Sequence, residues 1–171
     1  MTLPATPRIL VVAVAALLAL SGCATTTDTA APEATTTAAA SLTIADPWVK
    51  SAETGMSATF GTLENASDTD ITVVSAESSA ATMIELHETV EDDSGAMVMQ
   101  QIEGGFIVPA NGSYELAPGA NHLMLMGLTA PLVAGVDSTF TLTLSDGSTF
   151  EFTAPAKDYS GANESYEETE K

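Results

Sequence analysis

Asn121-His122-Leu123-Met124-Leu125-Met126-Gly127 is the stretch that decides the fold class. Successive side chains of a strand point to opposite faces. Leu123 and Leu125 therefore fall on one face, and His122, Met124 and Met126 on the other. One face is ordinary core. The other carries an imidazole and two thioethers, donors that suit a soft ion such as Cu(I). The same alternation continues outward in both directions. Leu42 to Ile44, Trp48-Val49, Met56 to Phe60, Ile71 to Ser75, Met83 to Val90 and Ala96 to Ile102 read as strands. So do Phe106 to Val108, Ser113 to Leu116, Thr139 to Leu144 and Thr149 to Phe152. Turn residues separate them at Glu64 to Asp68, Glu91 to Gly95, Pro109 to Gly112 and Pro118-Gly119, with a hairpin signal at Ser145-Asp146-Gly147-Ser148. No stretch combines a helical period with caps. Residues 41–156 thus predict an all-β sandwich or barrel. Trp48, Phe60, Phe106, Phe140, Phe150 and Phe152 are available to fill its interior.

The flanks have a different character. Residues 1–22 carry a basic start, an apolar run from Ile9 to Leu20 and small residues at the end, the marks of a secretory signal. The apolar run is short for a membrane span. Leu20-Ser21-Gly22-Cys23 resembles the lipobox of bacterial lipoproteins, in which the cysteine becomes the lipid-modified first residue. Residues 23–40, rich in Thr and Ala, read as a disordered linker with a reach of roughly 20–25 Å. Residues 157–171 read as a disordered acidic tail. These features predict an exported protein, anchored through lipidated Cys23 to the outer face of a bacterial cell membrane.

Charge and cysteine usage narrow the function. The chain has 171 residues and a formal net charge of −19, and all 23 acidic residues follow Cys23. The basic residues after Cys23 are Lys50, Lys157 and Lys171. Nucleic acid is excluded as a natural partner, since phosphate binding needs clustered basic side chains. The acidity reads first as a solvated surface. Cys23 is the single cysteine, so the rest of the chain offers neither disulfide nor thiolate ligand. Three Asn-x-Ser sequons, at Asn65, Asn111 and Asn163, carry little weight in a bacterial lipoprotein.

The other histidine, His87, lies on the alternating stretch Thr82 to His87, opposite in direction to Ile84 and Leu86 and on the face of Glu85 and Thr89. Met97 and Met99 share a face on the return strand. A hairpin across the Glu91 to Gly95 loop brings one of these methionines near His87. His122 and Met124 converge on the same end of the sandwich in this reading. Two imidazoles and two thioethers form a soft, neutral donor set. It favours Cu(I) over Zn(II), Ca(II) or Mg(II). Met97 and Met99 are rivals for one position, and each taken alone is more simply core filler.

The spacing His87, eleven residues, Met99, twenty-two residues, His122-Leu123-Met124 resembles the signature of the PCuAC family of periplasmic copper chaperones. Glu85-Leu86-His87-Glu88, Ile107-Val108-Pro109-Ala110 and Pro118 to Leu128 resemble the family too, over most of residues 42–154. The interval from Met99 to His122 is one residue longer than the family's, and Glu88 stands where some members have Met. The resemblance implies a cupredoxin-like, Greek-key β-sandwich with one Cu(I) held near the surface by His87, Met99, His122 and Met124. Met126 then packs beside the site. It further implies delivery to the dinuclear copper centre of a cytochrome c oxidase subunit, with a second copper chaperone as a further partner.

Two other function classes compete with this reading. One is a surface interaction or scaffold lipoprotein whose His and Met residues bind no metal. The other is an enzyme, for which the sequence offers no nucleophile triad, phosphate loop or zinc-hydrolase motif. Blue-copper electron transfer requires a cysteine thiolate, and none follows Cys23.

Overall fold

The computed structural model describes residues 37–91 and 95–161. The signal segment, Cys23, linker residues 23–36 and tail residues 162–171 lie outside the described residues. Ten strands follow a single 3-10 turn, Ala38–Ser41: β1 (Leu42–Lys50), β2 (Ser57–Asn65), β3 (Ile71–Glu77), β4 (Ala81–Glu91), β5 (Met97–Gln101), β6 (Phe106–Val108), β7 (Ser113–Leu116), β8 (His122–Leu128), β9 (Asp137–Leu144) and β10 (Thr149–Lys157). The fold is all-β, as the alternation predicts.

The strands pair in the order β5-β4-β8-β2-β1-β10-β9-β3-β6, and β7 adds to β2. A further pairing, Ala76 with Ile84, joins β3 back to β4 and closes a ring. Long strands change partner halfway. β4 pairs β8 through residues 81–87 and β5 through residues 87–91. β2 pairs β8 through residues 57–59 and β7 through residues 61–64. This exchange lets one sheet wrap round one core. That core is built from inward side chains such as Leu63, Val73, Leu86, Phe106, Leu123, Leu125, Phe140 and Leu142. The Phe140 and Phe152 rings stack inside it at 5.3 Å.

β1 contains a bulge at Asp46-Pro47, where the register to β2 shifts between Ala45 and Trp48. Asp46 takes φ 49 there. The bulge leans over Gly61, where an added Cβ would stand 3.1 Å from the Pro47 Cα. One extra residue reverses which side chains face inward. Val49 therefore enters the core, and Trp48 turns outward to meet Phe60, 4.6 Å between ring centroids. This corrects the assignment of Trp48 and Phe60 to the sandwich interior. They belong to a second, smaller cluster with Ala58, Met124 and Met126 on the opposite face of the sheet.

The ends of the domain also differ from expectation. β2 runs on to Asn65, whose buried side chain donates to the carbonyls of Thr69 (2.8 Å), Val108 (3.1 Å) and Pro109 (3.2 Å). The same nitrogen is the one a glycan would need. Residues 38–40 are not extended linker: Ala38 N–H donates to Asp146 Oδ2 and Ala39 N–H to Ser148 Oγ. Lys157 closes β10 rather than opening a tail. Beyond it, Tyr159 packs edge-on to Trp48, and Ser51 Oγ donates to Asp158 Oδ1.

Asn65→Ala removes three donated bonds and two accepted from Ser67, through its N–H and its hydroxyl, leaving buried carbonyls without this donor. The expected loss is about 2–3 kcal/mol, read as a lower urea midpoint at unchanged slope. Asp146 makes a second prediction. Hydrogen bonds from the Ser148 hydroxyl, then from the Ala38 and Ser148 amides, hold its carboxyl below the usual range. The charged form is the bonded one, so docking of the 3-10 turn is complete above the ordinary carboxylate pKa. It is lost as pH falls through the lower, folded value. The Ala38 amide resonance should titrate in that acidic window, and Asp146→Ala should move it to the undocked position at every pH.

Candidate metal centre

β4 and β8 run antiparallel, with Ile84 opposite Leu125, Glu85 opposite Met124, Leu86 opposite Leu123 and His87 opposite His122. The inward residues of this ladder are all aliphatic. The outward ones are Glu85, His87, His122 and Met124. His87 and His122 therefore form a directly opposed pair, with ring centroids 5.5 Å apart and an interplanar angle of 65°. Met124 lies two residues from His122 on the same face.

His87 is also the residue at which β4 changes partner. It is the last residue paired to β8 and the first paired to β5, opposite Gln101. Met99 sits opposite Thr89, so it is a diagonal neighbour of His87 on the outward face. Met97 lies two pairs further along, opposite Glu91. The two rivals separate by burial: Met99 is 6% exposed and Met97 55%. All four predicted residues thus occupy one face of three adjacent strands, β5, β4 and β8. Met126 is on that face as well, packed against the cluster of Ala58, Phe60 and Met124.

The expectation of a site open at the surface is not met by the histidines. His87 is fully buried and His122 is 2% exposed. The Phe60 ring stands 6.2 Å from that of His122, and Phe60 in turn is covered by Trp48. These aromatics were missed as neighbours of the site because large apolar side chains were assigned to the interior. The inverted pattern of β2 carried the signal. Its inward positions are Ser57, Thr59 and Gly61, whereas Ala58 and Phe60 face out with Met124.

A metal-ligating imidazole is neutral, and in that form the hydrogen bonds select which ring nitrogen carries the proton. His122 Nδ1 lies 2.8 Å from the carbonyl oxygen of Ala120. A carbonyl only accepts, so Nδ1–H donates and Nε2 keeps its lone pair. His87 Nε2 lies 2.8 Å from Glu85 Oε2. There Nε2–H donates to the carboxylate, and Nδ1 keeps the lone pair. Both lone-pair atoms are buried. A carboxylate or carbonyl behind each imidazole is the usual support of a metal-ligating histidine.

The loop that supplies Ala120 is itself held. Its carbonyl also accepts from Thr89 Oγ1 at 3.1 Å, Ala117 N–H donates to the Asn121 carbonyl at 2.9 Å, and Asn121 Nδ2 donates to the Tyr114 hydroxyl at 2.7 Å. Burial, with the nearby Glu88 charge, pushes the Tyr114 phenol above its usual pKa. It therefore stays a neutral partner for Asn121. Among the described residues no three His, Cys, Asp or Glu side chains gather as a metal-binding group. The donor set is two imidazoles with thioethers, which fits a soft monovalent ion better than a hard one.

The fold resembles that of solved copper-binding domains. The copper-bound PCuAC domain from PmoF2 superposes with a TM-score of 0.57 at 16% identity, covering 70% of this chain and 94% of that one. A solution structure of CuI-DR1885 from Deinococcus radiodurans gives a TM-score of 0.54 at 28% identity, covering 70% and 82%. The expected cupredoxin-like sandwich is therefore the fold observed. In sequence, the chain is 46% identical over 152 residues to "Putative lipoprotein Lxx21020" of Leifsonia xyli subsp. xyli (strain CTCB07), covering 89% of this chain and 90% of that relative. A family model described as "Putative lipoprotein LpqE-like" matches residues 42–156. On these two matches, which together span the whole ring of strands, the chain belongs to the LpqE-like lipoprotein family.

Proposed function

We propose that this protein is an extracytoplasmic, lipid-anchored Cu(I) metallochaperone. The observation that carries the reading is the opposed His87–His122 pair, set on a face flanked by Met99 and Met124. His87 Nδ1, His122 Nε2 and the two thioether sulfurs hold one Cu(I) as cargo. Glu85 and the Ala120 carbonyl orient the imidazoles. Methionine elsewhere is most often packing material, yet among the described residues the main core contains none. The copper named with DR1885 and with the PmoF2 domain supports the same assignment.

The donors suit a carrier. None of the four donors is a thiol or a carboxylate, so binding and release of Cu(I) require no thiolate chemistry in an oxidising compartment. The cargo passes to a membrane cuproenzyme, the dinuclear copper centre of a cytochrome c oxidase subunit, with a second copper chaperone as a further partner. Cys23 is the lipidated residue, and the membrane is reached through it. The lipoprotein description of the family and of the Leifsonia relative supports the anchor.

Anaerobic Cu(I) titration against a competing chelator tests the site. The expected result is one tightly held ion per chain and a loss of at least about 100-fold in affinity in His122→Ala combined with Met124→Ala. Glu85→Gln should cost about 10–100-fold through His87 alone. Tight binding that survives the double substitution removes the proposal. The anchor is tested separately: Cys23→Ala should move the protein from the membrane to the soluble fraction without changing Cu(I) affinity.

A further inference from the structure

All six methionines that follow Cys23 lie along one face of β2, β8, β4 and β5, and Met99 and Met124 account for only two of them. Three of the others form a row. Met83 on β4 is directly opposite Met126 on β8. On the other side of β8, Ser57 pairs Leu125 and Ala58 pairs Met124; the next bond, between Leu128 and Gly55, is one residue out of that register, so Met56, just ahead of β2, lies against both Met126 and Gly127. The chain ahead of β2 still runs against β8 there, because Leu128 N–H donates to the Gly55 carbonyl at 2.9 Å. Alternation puts Met56 on the face of Ala58, which is the face of Met126. Three methionines thus neighbour one another along the backbone, Met83 on β4, Met126 on β8 and Met56 just ahead of β2.

This row differs from the buried pair of histidines in its exposure. Met56 is 47% exposed and Met83 51%, while Met126 between them is partly buried. Solvent exposure of two large apolar side chains in one row contributes nothing to the core. Adjacent strands are about 4.8 Å apart, and a methionine side chain has three rotatable bonds. The two outer thioethers can therefore close over the central one. Three thioether sulfurs without a charged or oxygen donor are a Cu(I)-selective set.

We propose that Met56, Met83 and Met126 form a second, exposed Cu(I) site, through which the ion enters or leaves the His87–His122 centre. The inference rests on the copper reading above. Met126 and Met124 are two residues apart on the same face of β8, and both pack in the small outer cluster with Ala58 and Phe60. Transfer between the sites is thioether-for-thioether exchange: one Cu–S bond forms as another breaks, with copper remaining Cu(I) and no proton moving.

The test uses the full chain carrying Cys23→Ala, which removes a competing thiol, with methyl-13C methionine and Cu(I) added anaerobically. Met99 and Met124 methyl resonances should shift over the first equivalent, and those of Met56, Met83 and Met126 should shift together over a second. Met56→Leu, Met83→Leu and Met126→Leu combined preserve apolar volume and should reduce the stoichiometry from two ions to one. In His87→Ala with His122→Ala, the three-methionine set should still shift with Cu(I). If the Met56, Met83 and Met126 methyls stay still through two equivalents while Met99 and Met124 respond, the second site is wrong and the first stands. If the reverse is seen in the parent chain, the histidine centre is wrong and the methionine row stands. If neither set moves, both fail.

Discussion

The register between β4 and β8 is the constraint on which the rest depends. Leu86 meets Leu123 and Ile84 meets Leu125 on the inward face, and these contacts are buried in the main core. A slip of one residue in either strand would turn that strand's histidine into the core and expose its leucine. The apolar contacts therefore do more than stabilise the domain. They set the imidazoles opposite each other, and Glu85 and the Ala120 carbonyl then orient the two rings. The partner exchange along β4 then completes the group. Because β5 takes over at His87, a third strand brings Met99 alongside a pair that β4 and β8 alone would leave half-surrounded.

Much of this was legible in the sequence, for a simple reason. Period-two alternation is a direct consequence of strand geometry, so the strands and the outward direction of His87, His122 and Met124 could be read from it. The hairpin across residues 91–95 gave the proximity of Met99 or Met97 to His87. Burial separates the two methionines, and burial is a tertiary property that no local pattern contains. The same limit explains the histidines. Their face was recognised as outside the main core, but its cover by Phe60 and Trp48 depends on strands far apart in the chain.

The misreading of Trp48 has a more local cause. A strand drawn without a bulge puts Ile44 and Trp48 on the same side, and a large aromatic is then placed inside. The bulge at Asp46-Pro47 reverses that parity. Pro47 removes a ladder hydrogen-bond donor, so this point was the one place in β1 where a break in register was chemically signalled. The domain edges were missed for a comparable reason. Ala38, Ala39 and Tyr159 have little pattern of their own, and it is Asp146, Ser148 and Trp48 that hold them.

The direction of the strands gives the domain two unlike ends. Leu42 pairs Asn65, whereas Trp48 pairs Phe60 and Met56 lies just ahead of the other end of β2. From Asn65 back to Met56 the sheet extends roughly 30 Å. Whatever is attached ahead of Leu42 thus joins the pole opposite the methionine row. The two poles therefore differ in chemistry: one is closed by the hydrogen bonds of the buried Asn65 side chain, and the other presents exposed thioethers to solvent.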